Sequence, residues 1–71
     1  MKTFILEGRE FIELYKVIKI EGMVSSGGEA KAVIADGQVL VNGLIETQKR
    51  KKTVSGDIIE FRGEKICLQS K

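Results

Sequence analysis

Four consecutive cationic residues, Lys49, Arg50, Lys51 and Lys52, are the strongest chemical signal in this chain of 71 residues. Neighbouring like charges repel one another, so a folded protein gains nothing by clustering them unless an anion lies opposite. Phosphate is the natural anion for such a cluster, and the run therefore predicts contact with nucleic acid phosphates. The alternative interpretation is a solvated loop that is kept basic for solubility. We refer to these four residues as the basic loop.

The charges of the rest of the chain are distributed unevenly. Residues 1–48 contain five basic and seven acidic groups, whereas residues 49–71 contain seven basic and three acidic groups, so the balance changes from −2 to +4. This change of sign favours a polyanionic partner that approaches one face, although a small protein can carry such a dipole without a function.

The segment Ser25-Ser26-Gly27-Gly28-Glu29 is the second candidate site. The spacing of Ser26 and Glu29 predicts a capping box, in which the Ser26 hydroxyl accepts from the Glu29 amide and the Glu29 carboxylate accepts from the Ser26 amide. Free amides at a helix start attract phosphate, which makes Ser26 and Gly27 candidate RNA contacts. Glu29 would repel an anion in the same turn, so capping alone is the interpretation that we favour.

Catalysis is not expected from this composition. The chain contains no His and a single cysteine, Cys67, and no two carboxylates are placed for acid–base chemistry. We therefore predict neither an enzyme nor a metal site nor a cofactor. No long apolar stretch suggests a signal peptide or a membrane span, and we expect one cytoplasmic domain over residues 1–71.

Two helices are predicted from the spacing of apolar residues. The first is expected from Phe11 to the residue before Gly22, and its inward face repeats at intervals of three and four: Phe11, Leu14, Tyr15 and Ile18. On this pattern Tyr15 belongs to the core, with base stacking as the alternative. The second helix begins after Ser26, faces inward at Ala30, Val33 and Ile34, and ends at Gly37. Such a short helix must pack against the first one.

Strands are predicted on both sides of this helix pair. Residues 3–6 suggest an edge strand, and Asn42-Gly43 between Val39-Leu40-Val41 and Leu44-Ile45 predicts a β-hairpin whose buried face is left open. A further strand is expected at Val54 and residues 58–61, and another at residues 65–69. The predicted fold class is α+β, with two antiparallel helices packed on a small, mainly antiparallel sheet.

Residues 13–61 resemble the S-four RNA-binding domain, or αL motif, and look most like its short stand-alone bacterial type. Matching positions occur in order along both helices, the hairpin and the following strand. They are Leu14, Lys16, Ile18, Gly22, Val24-Ser25-Ser26, Glu29-Ala30-Lys31, Ile34, Gly37, Val39, Val41-Asn42-Gly43, Val54, Gly56-Asp57 and Ile59-Glu60-Phe61.

The resemblance implies that RNA binds along the helix pair and adjoining strands, without catalysis. Lys16 and Lys31 match positions of the family's helices. Glu13 and Gly27 stand where family members often carry an arginine that contacts RNA. This difference suggests that, in this chain, the positive charges that contact RNA lie mainly in the basic loop.

The function predicted from the sequence is recognition of structured RNA, expected to be ribosomal, through phosphate contacts and shape, with a role in ribosome assembly or translation. Neither a membrane nor a small-molecule substrate is expected as a partner, and the oligomeric state is left open. The alternative is an adaptor protein that docks an acidic partner through the basic loop.

Overall fold

The helices and strands are those of a computed structural model that describes residues 1–70. Each element is short, as expected for a chain in which glycines and polar turns recur. The elements are β1 (Lys2–Ile5), β2 (Ile12–Glu13), α1 (Leu14–Ile20), α2 (Gly27–Ala35), β3 (Val39–Val41), β4 (Leu44–Ile45), β5 (Lys52–Thr53), β6 (Ile58–Phe61) and β7 (Glu64–Gln69).

Two sheets are present within residues 1–70. Five strands form the larger sheet in the order β1-β7-β6-β3-β4, with β1 parallel to β7 and the other neighbours antiparallel. Strands β2 and β5 form a separate antiparallel pair, in which Ile12 faces Thr53 and Glu13 faces Lys52. The predicted α+β fold, with two helices and a mainly antiparallel sheet, is confirmed.

The core lies between the helix pair and one face of the larger sheet. Alternate residues of β6 and β7 are buried, namely Ile59, Phe61, Ile66 and Leu68, as a sheet with one covered face requires. The helices contribute the buried side chains Leu14, Val17, Ile18, Ala30, Val33 and Ile34. The inward face predicted for the second helix is therefore confirmed.

The predicted start of the first helix at Phe11 is wrong. Helix α1 begins at Leu14, because Ile12 and Glu13 are drawn into the pair with β5. The buried Thr53 hydroxyl donates to the Ile12 carbonyl at 2.7 Å and holds that segment extended. Phe11 consequently precedes the helix and is 39% exposed, so it does not share a helical face with Tyr15. The end of α1 before Gly22, which has a φ of 72°, agrees with the prediction.

The hairpin of β3 and β4 forms as predicted. Asn42 and Gly43 have φ values of 53° and 83°, the left-handed pair that a type I′ turn requires. Val39 and Val41 are buried, whereas Leu44 and Ile45 are exposed. The buried face of the hairpin, which the sequence left open, is therefore the one that carries Val39 and Val41 of β3. Val54 was expected within the following strand, but it lies outside both β5 and β6 and is exposed. The Asp57 carboxylate accepts from the Val54 amide at 2.9 Å and closes a turn there.

Candidate nucleic acid interface

The basic loop lies against the start of α1. Its carbonyl groups accept from the first amides of the helix: Leu14 donates to Lys51 at 2.9 Å, and Tyr15 donates to Lys49 at 3.1 Å. Amides at a helix start have no partner within the helix, so these two bonds satisfy them and fix the loop at the same time. The loop continues into β5, where Lys52 pairs with Glu13. Backbone hydrogen bonds to α1 and the pairing of β5 with β2 thus hold four cations that are adjacent in sequence.

The Tyr15 ring is the centre on which cations from three segments converge. The Lys31 Nζ of α2 lies 4.7 Å from the ring centroid, the Arg50 Cζ of the basic loop 5.5 Å, and the Lys16 Nζ of α1 5.9 Å. Cations within about 6 Å of an aromatic centroid are attracted by the ring. The structure therefore brings together Lys16, Lys31 and Arg50, three of the residues singled out from the sequence.

The ring of Tyr15 is half-buried, and it packs against the core while it contacts these cations. The assignment of Tyr15 to the core is correct in part. Helical spacing could not predict that cations would contact its ring. They come from residues that are distant in sequence, so only the folded chain assembles the cluster. We call Lys16, Lys31 and the basic loop together the cationic surface.

Glu13 is a carboxylate inside this basic region. One of its oxygens lies 3.3 Å from the Lys16 Nζ, and the other lies 3.3 Å from a guanidinium nitrogen of Arg50. Desolvation alone would raise the pKa of Glu13, but the hydrogen bonds and charges of Lys16 and Arg50 outweigh it and lower this pKa below its ordinary value. Glu13 is therefore held as an anion that orients two cations from different segments.

The other cations of the basic loop have different surroundings. Lys49 and Lys52 are exposed and Lys51 is half-buried. Within residues 1–70, none of these three forms a salt bridge with a carboxylate. The Lys52 Nζ lies 4.9 Å from the centroid of the Phe11 ring. These positive charges are available to an anion from outside the protein.

At the start of α2, the structure supports capping. The Ser26 hydroxyl accepts from the Glu29 amide at 3.0 Å, as predicted. The return bond is different, because the Glu29 carboxylate accepts from the amide and the hydroxyl of Ser25, at 2.8 and 2.7 Å, and not from the Ser26 amide. These bonds lower the pKa of Glu29 and keep a negative charge in the first turn.

Gly27 nevertheless lies beside the cationic surface. A Cβ atom built on Gly27 would be 3.9 Å from the Lys19 Cδ and 4.0 Å from the Tyr15 Cε2, which are ordinary van der Waals distances. A phosphate contact at Ser26 and Gly27 stays a prediction.

No group of three or more His, Cys, Asp or Glu residues that could hold a metal ion occurs within residues 1–70. Among the helices of that range, none has the length and apolar character that crossing a bilayer demands.

Comparison with known proteins gives a consistent set of relatives. The family model described as the S4 domain matches residues 4–69, beyond the stretch 13–61 on which the resemblance rested. YbcJ of Escherichia coli (strain K12) is 44% identical over 66 residues, which cover 93% of this chain and 94% of that protein. RlbA of Bacillus subtilis (strain 168), named a probable ribosome maturation protein, is 33% identical over 54 residues, covering 76% of each chain.

Solved structures agree with these relatives. The solution structure of YbcJ from E. coli, described as revealing an αL motif involved in RNA binding, superposes with a TM-score of 0.75 at 42% identity and covers 97% of this chain and 87% of that one. The 30S ribosomal protein S4e from Thermoplasma acidophilum superposes with a TM-score of 0.67 at 26% identity, covering 80% of this chain and 30% of that one. The family resemblance inferred from the sequence is confirmed.

Proposed function

Because the chain belongs to the S4 domain family, we propose that it binds structured RNA through the cationic surface. The observation that carries this proposal is the convergence of Lys16, Lys31 and Arg50 on the Tyr15 ring. Cations held by a ring and by Glu13 lose less conformational freedom when they meet phosphates than free side chains do. The αL motif of YbcJ, described as involved in RNA binding, supports the same partner.

The mode of recognition that we propose is contact with phosphates and with the shape of the RNA. Double-stranded RNA has a major groove too deep and narrow for side chains to read, so proteins recognise it largely by shape and through phosphates and the 2′-hydroxyls of the minor groove. The cationic surface offers ammonium and guanidinium groups of the kind that bind phosphates. Such a surface fixes position on the RNA and carries little information about base sequence.

Ribosomal RNA is the partner class that we propose within this function. The support comes from two relatives, a probable ribosome maturation protein in B. subtilis and the 30S protein S4e of T. acidophilum. A role in ribosome assembly or translation would follow from such a partner. The test is competition between a ribosomal RNA fragment and tRNA of similar length, in which preference for the ribosomal fragment is expected. Equal affinity would remove the ribosomal part of the proposal and leave RNA binding intact.

The cationic surface itself is tested by a double variant, Lys16→Ala with Lys31→Ala. We expect the dissociation constant for a structured RNA to rise by about thirtyfold, because two charge-assisted contacts of roughly 1 kcal/mol each sum to about 2 kcal/mol. The loss should be similar across RNA sequences, since phosphates are common to all of them. The matched control is Lys2→Ala with Lys65→Ala, which removes the same charge from β1 and β7. Equal effects of the two double variants would contradict the assignment of the surface.

A second candidate function is docking of an acidic protein by the same loop. Leu44 and Ile45 are exposed and line a groove that also contains Lys51 and Lys52 on the basic side and Glu46 and Asp57 on the acidic side. A partner would have to place apolar groups on Leu44 and Ile45 and acidic groups at the two lysines. Binding of a protein partner that persists after nuclease treatment would favour this function over RNA recognition.

A further inference from the structure

An open groove borders the cationic surface on the side of β2. Its volume is about 450 Å³, within the range of roughly 300–1,000 Å³ that small-ligand sites occupy. It is lined by residues of the loop before β2, of β2 itself, of α1 and of β5, namely Arg9, Phe11, Ile12, Glu13, Lys16, Ile20 and Lys52. We call it the Phe11 groove. Lys16 and Lys52 belong to both the groove and the cationic surface, so the two adjoin.

Two apolar side chains in this groove face solvent. Phe11 is 39% exposed and Ile20 is 57% exposed, although both are large and apolar. The exposure of Phe11 differs from the sequence prediction, which places this residue on the inward face of a helix. Pairing of Ile12 with Thr53 pulls Phe11 out of α1 and presents its ring at the groove. An exposed aromatic ring beside cations is the arrangement that proteins use to stack unpaired bases.

The charged residues of the groove indicate which class of ligand it can bind. Arg9 and Lys52 form no salt bridge within residues 1–70, and the Lys52 Nζ lies 4.9 Å from the Phe11 centroid. The carboxylate of Glu13 is already engaged by Lys16 and Arg50. The groove thus offers a flat apolar ring next to two unneutralised cations. A flat aromatic group that carries a phosphate is complementary to both features.

We infer that the Phe11 groove receives one unpaired nucleotide of the bound RNA, with its base stacked on Phe11 and its phosphate held by Arg9 and Lys52. This inference rests on the proposed function and refines it. The preferred partner becomes a helical RNA interrupted by a bulged or looped nucleotide, and not an uninterrupted duplex. The stem contacts the cationic surface, while the extruded base enters the groove.

The test compares two RNA hairpins that differ by a single bulged adenosine, placed at several positions along the stem. Wild-type protein is expected to bind at least one bulged hairpin about fivefold more tightly than the paired one, since stacking on an aromatic side chain contributes roughly 1 kcal/mol or more per base. Phe11→Ala should abolish that preference and leave affinity for the paired hairpin within about twofold. Phe11→Tyr, which keeps the ring, should retain the preference.

A fluorescent base provides an independent readout. With 2-aminopurine in place of the bulged adenosine, stacking on Phe11 should change its emission when wild-type protein binds, and Phe11→Ala should remove the change. Leu44→Ala serves as the control, because this side chain is 75% exposed and lies outside the Phe11 groove.

The outcomes separate this inference from the proposed function. Equal affinity of wild-type protein for bulged and paired hairpins, with neither changed in Phe11→Ala, would overturn the inference and leave RNA binding standing. An equal loss of affinity for both hairpins in Phe11→Ala would also overturn it, because the contribution of Phe11 to binding would then not depend on an unpaired base. Absence of binding to any hairpin would overturn both.

Discussion

Glu13 shows how one residue can organise a site of the opposite charge. A carboxylate among cations lowers the net positive charge of the surface, yet here it fixes Lys16 and Arg50, which belong to different segments. Glu13 carries the same charge sign as phosphate, so it acts only through the two cations that it orients.

The first prediction concerns the titration of Glu13. Its pKa is lowered in the folded protein, so the ionised form contributes stability above the unfolded-state pKa, near the ordinary value of 4.5, and this contribution is lost as the pH falls through the folded-state pKa. Titration of the side-chain carboxyl by NMR should give a value below 4.5 in the wild type. Arg50→Ala should raise it. An unchanged pKa in this variant would show that the ion pair is absent in solution.

The second prediction concerns the ring of Tyr15. Tyr15→Leu removes the π face that three cations share, and we expect RNA affinity to fall about fivefold, equivalent to about 1 kcal/mol. Tyr15→Phe keeps the ring and should bind within about twofold of the wild type. Both variants are measured by titration against the same structured RNA. A similar loss in both variants would instead assign the effect to the hydroxyl.

At the scale of elements, the pairing of β2 with β5 connects the start of α1 to the basic loop. Thr53 is buried, and its hydroxyl donates to the Ile12 carbonyl across a separation of 41 residues. The amides of Leu14 and Tyr15 donate to the carbonyls of Lys51 and Lys49 beside it. Four charges that repel one another are thereby kept in place by backbone bonds.

The third prediction tests this connection. Thr53→Val preserves shape but leaves the Ile12 carbonyl without that donor, and we expect a loss of about 1–2 kcal/mol in the free energy of unfolding. Amide hydrogen exchange at Leu14 and Tyr15 should accelerate as the pairing weakens. The control is Thr47→Val, because Thr47 is exposed and its replacement should change stability by less than about 0.5 kcal/mol. Equal stability of the two variants would contradict the proposed connection.

Elements with local signals could be predicted from the sequence. Ser26 and Glu29 predicted the start of α2, and Asn42-Gly43 predicted the hairpin, because a cap and a tight turn are decided by adjacent residues. The start of α1 could not be predicted, since apolar spacing carries Phe11 into the helix and only Thr53, far along the chain, draws Ile12 away. Long-range pairing outweighed local periodicity there.

The residues of the candidate site were identified in part from the sequence, and their contact with RNA stays a prediction. The family resemblance identified Lys16 and Lys31, and the charge run identified the basic loop. Their convergence on Tyr15 depends on three segments that meet only in the folded chain. The Phe11 groove had no sequence signal, because it results from the displaced start of α1.

At the scale of the whole molecule, the net charge is only +2, although cations from three segments lie close together. Cations of α1, α2 and the basic loop gather around one ring, while the opposite charges are spread along the chain. Association with a polyanion should therefore depend strongly on ionic strength, because phosphate contacts release bound counterions.

The most direct test of the account is the affinity for a structured ribosomal RNA fragment across a salt series. We compare the wild type with a folded variant in which Lys49, Arg50, Lys51 and Lys52 are all replaced by alanine. If all four reach phosphates, they should contribute about −3 to −4 to the slope of log affinity against log salt, from roughly −0.7 per contact on single strands to −0.9 on a duplex. The variant should lose this contribution. A wild-type slope near zero, or an unchanged slope in the variant, would contradict RNA recognition by the basic loop.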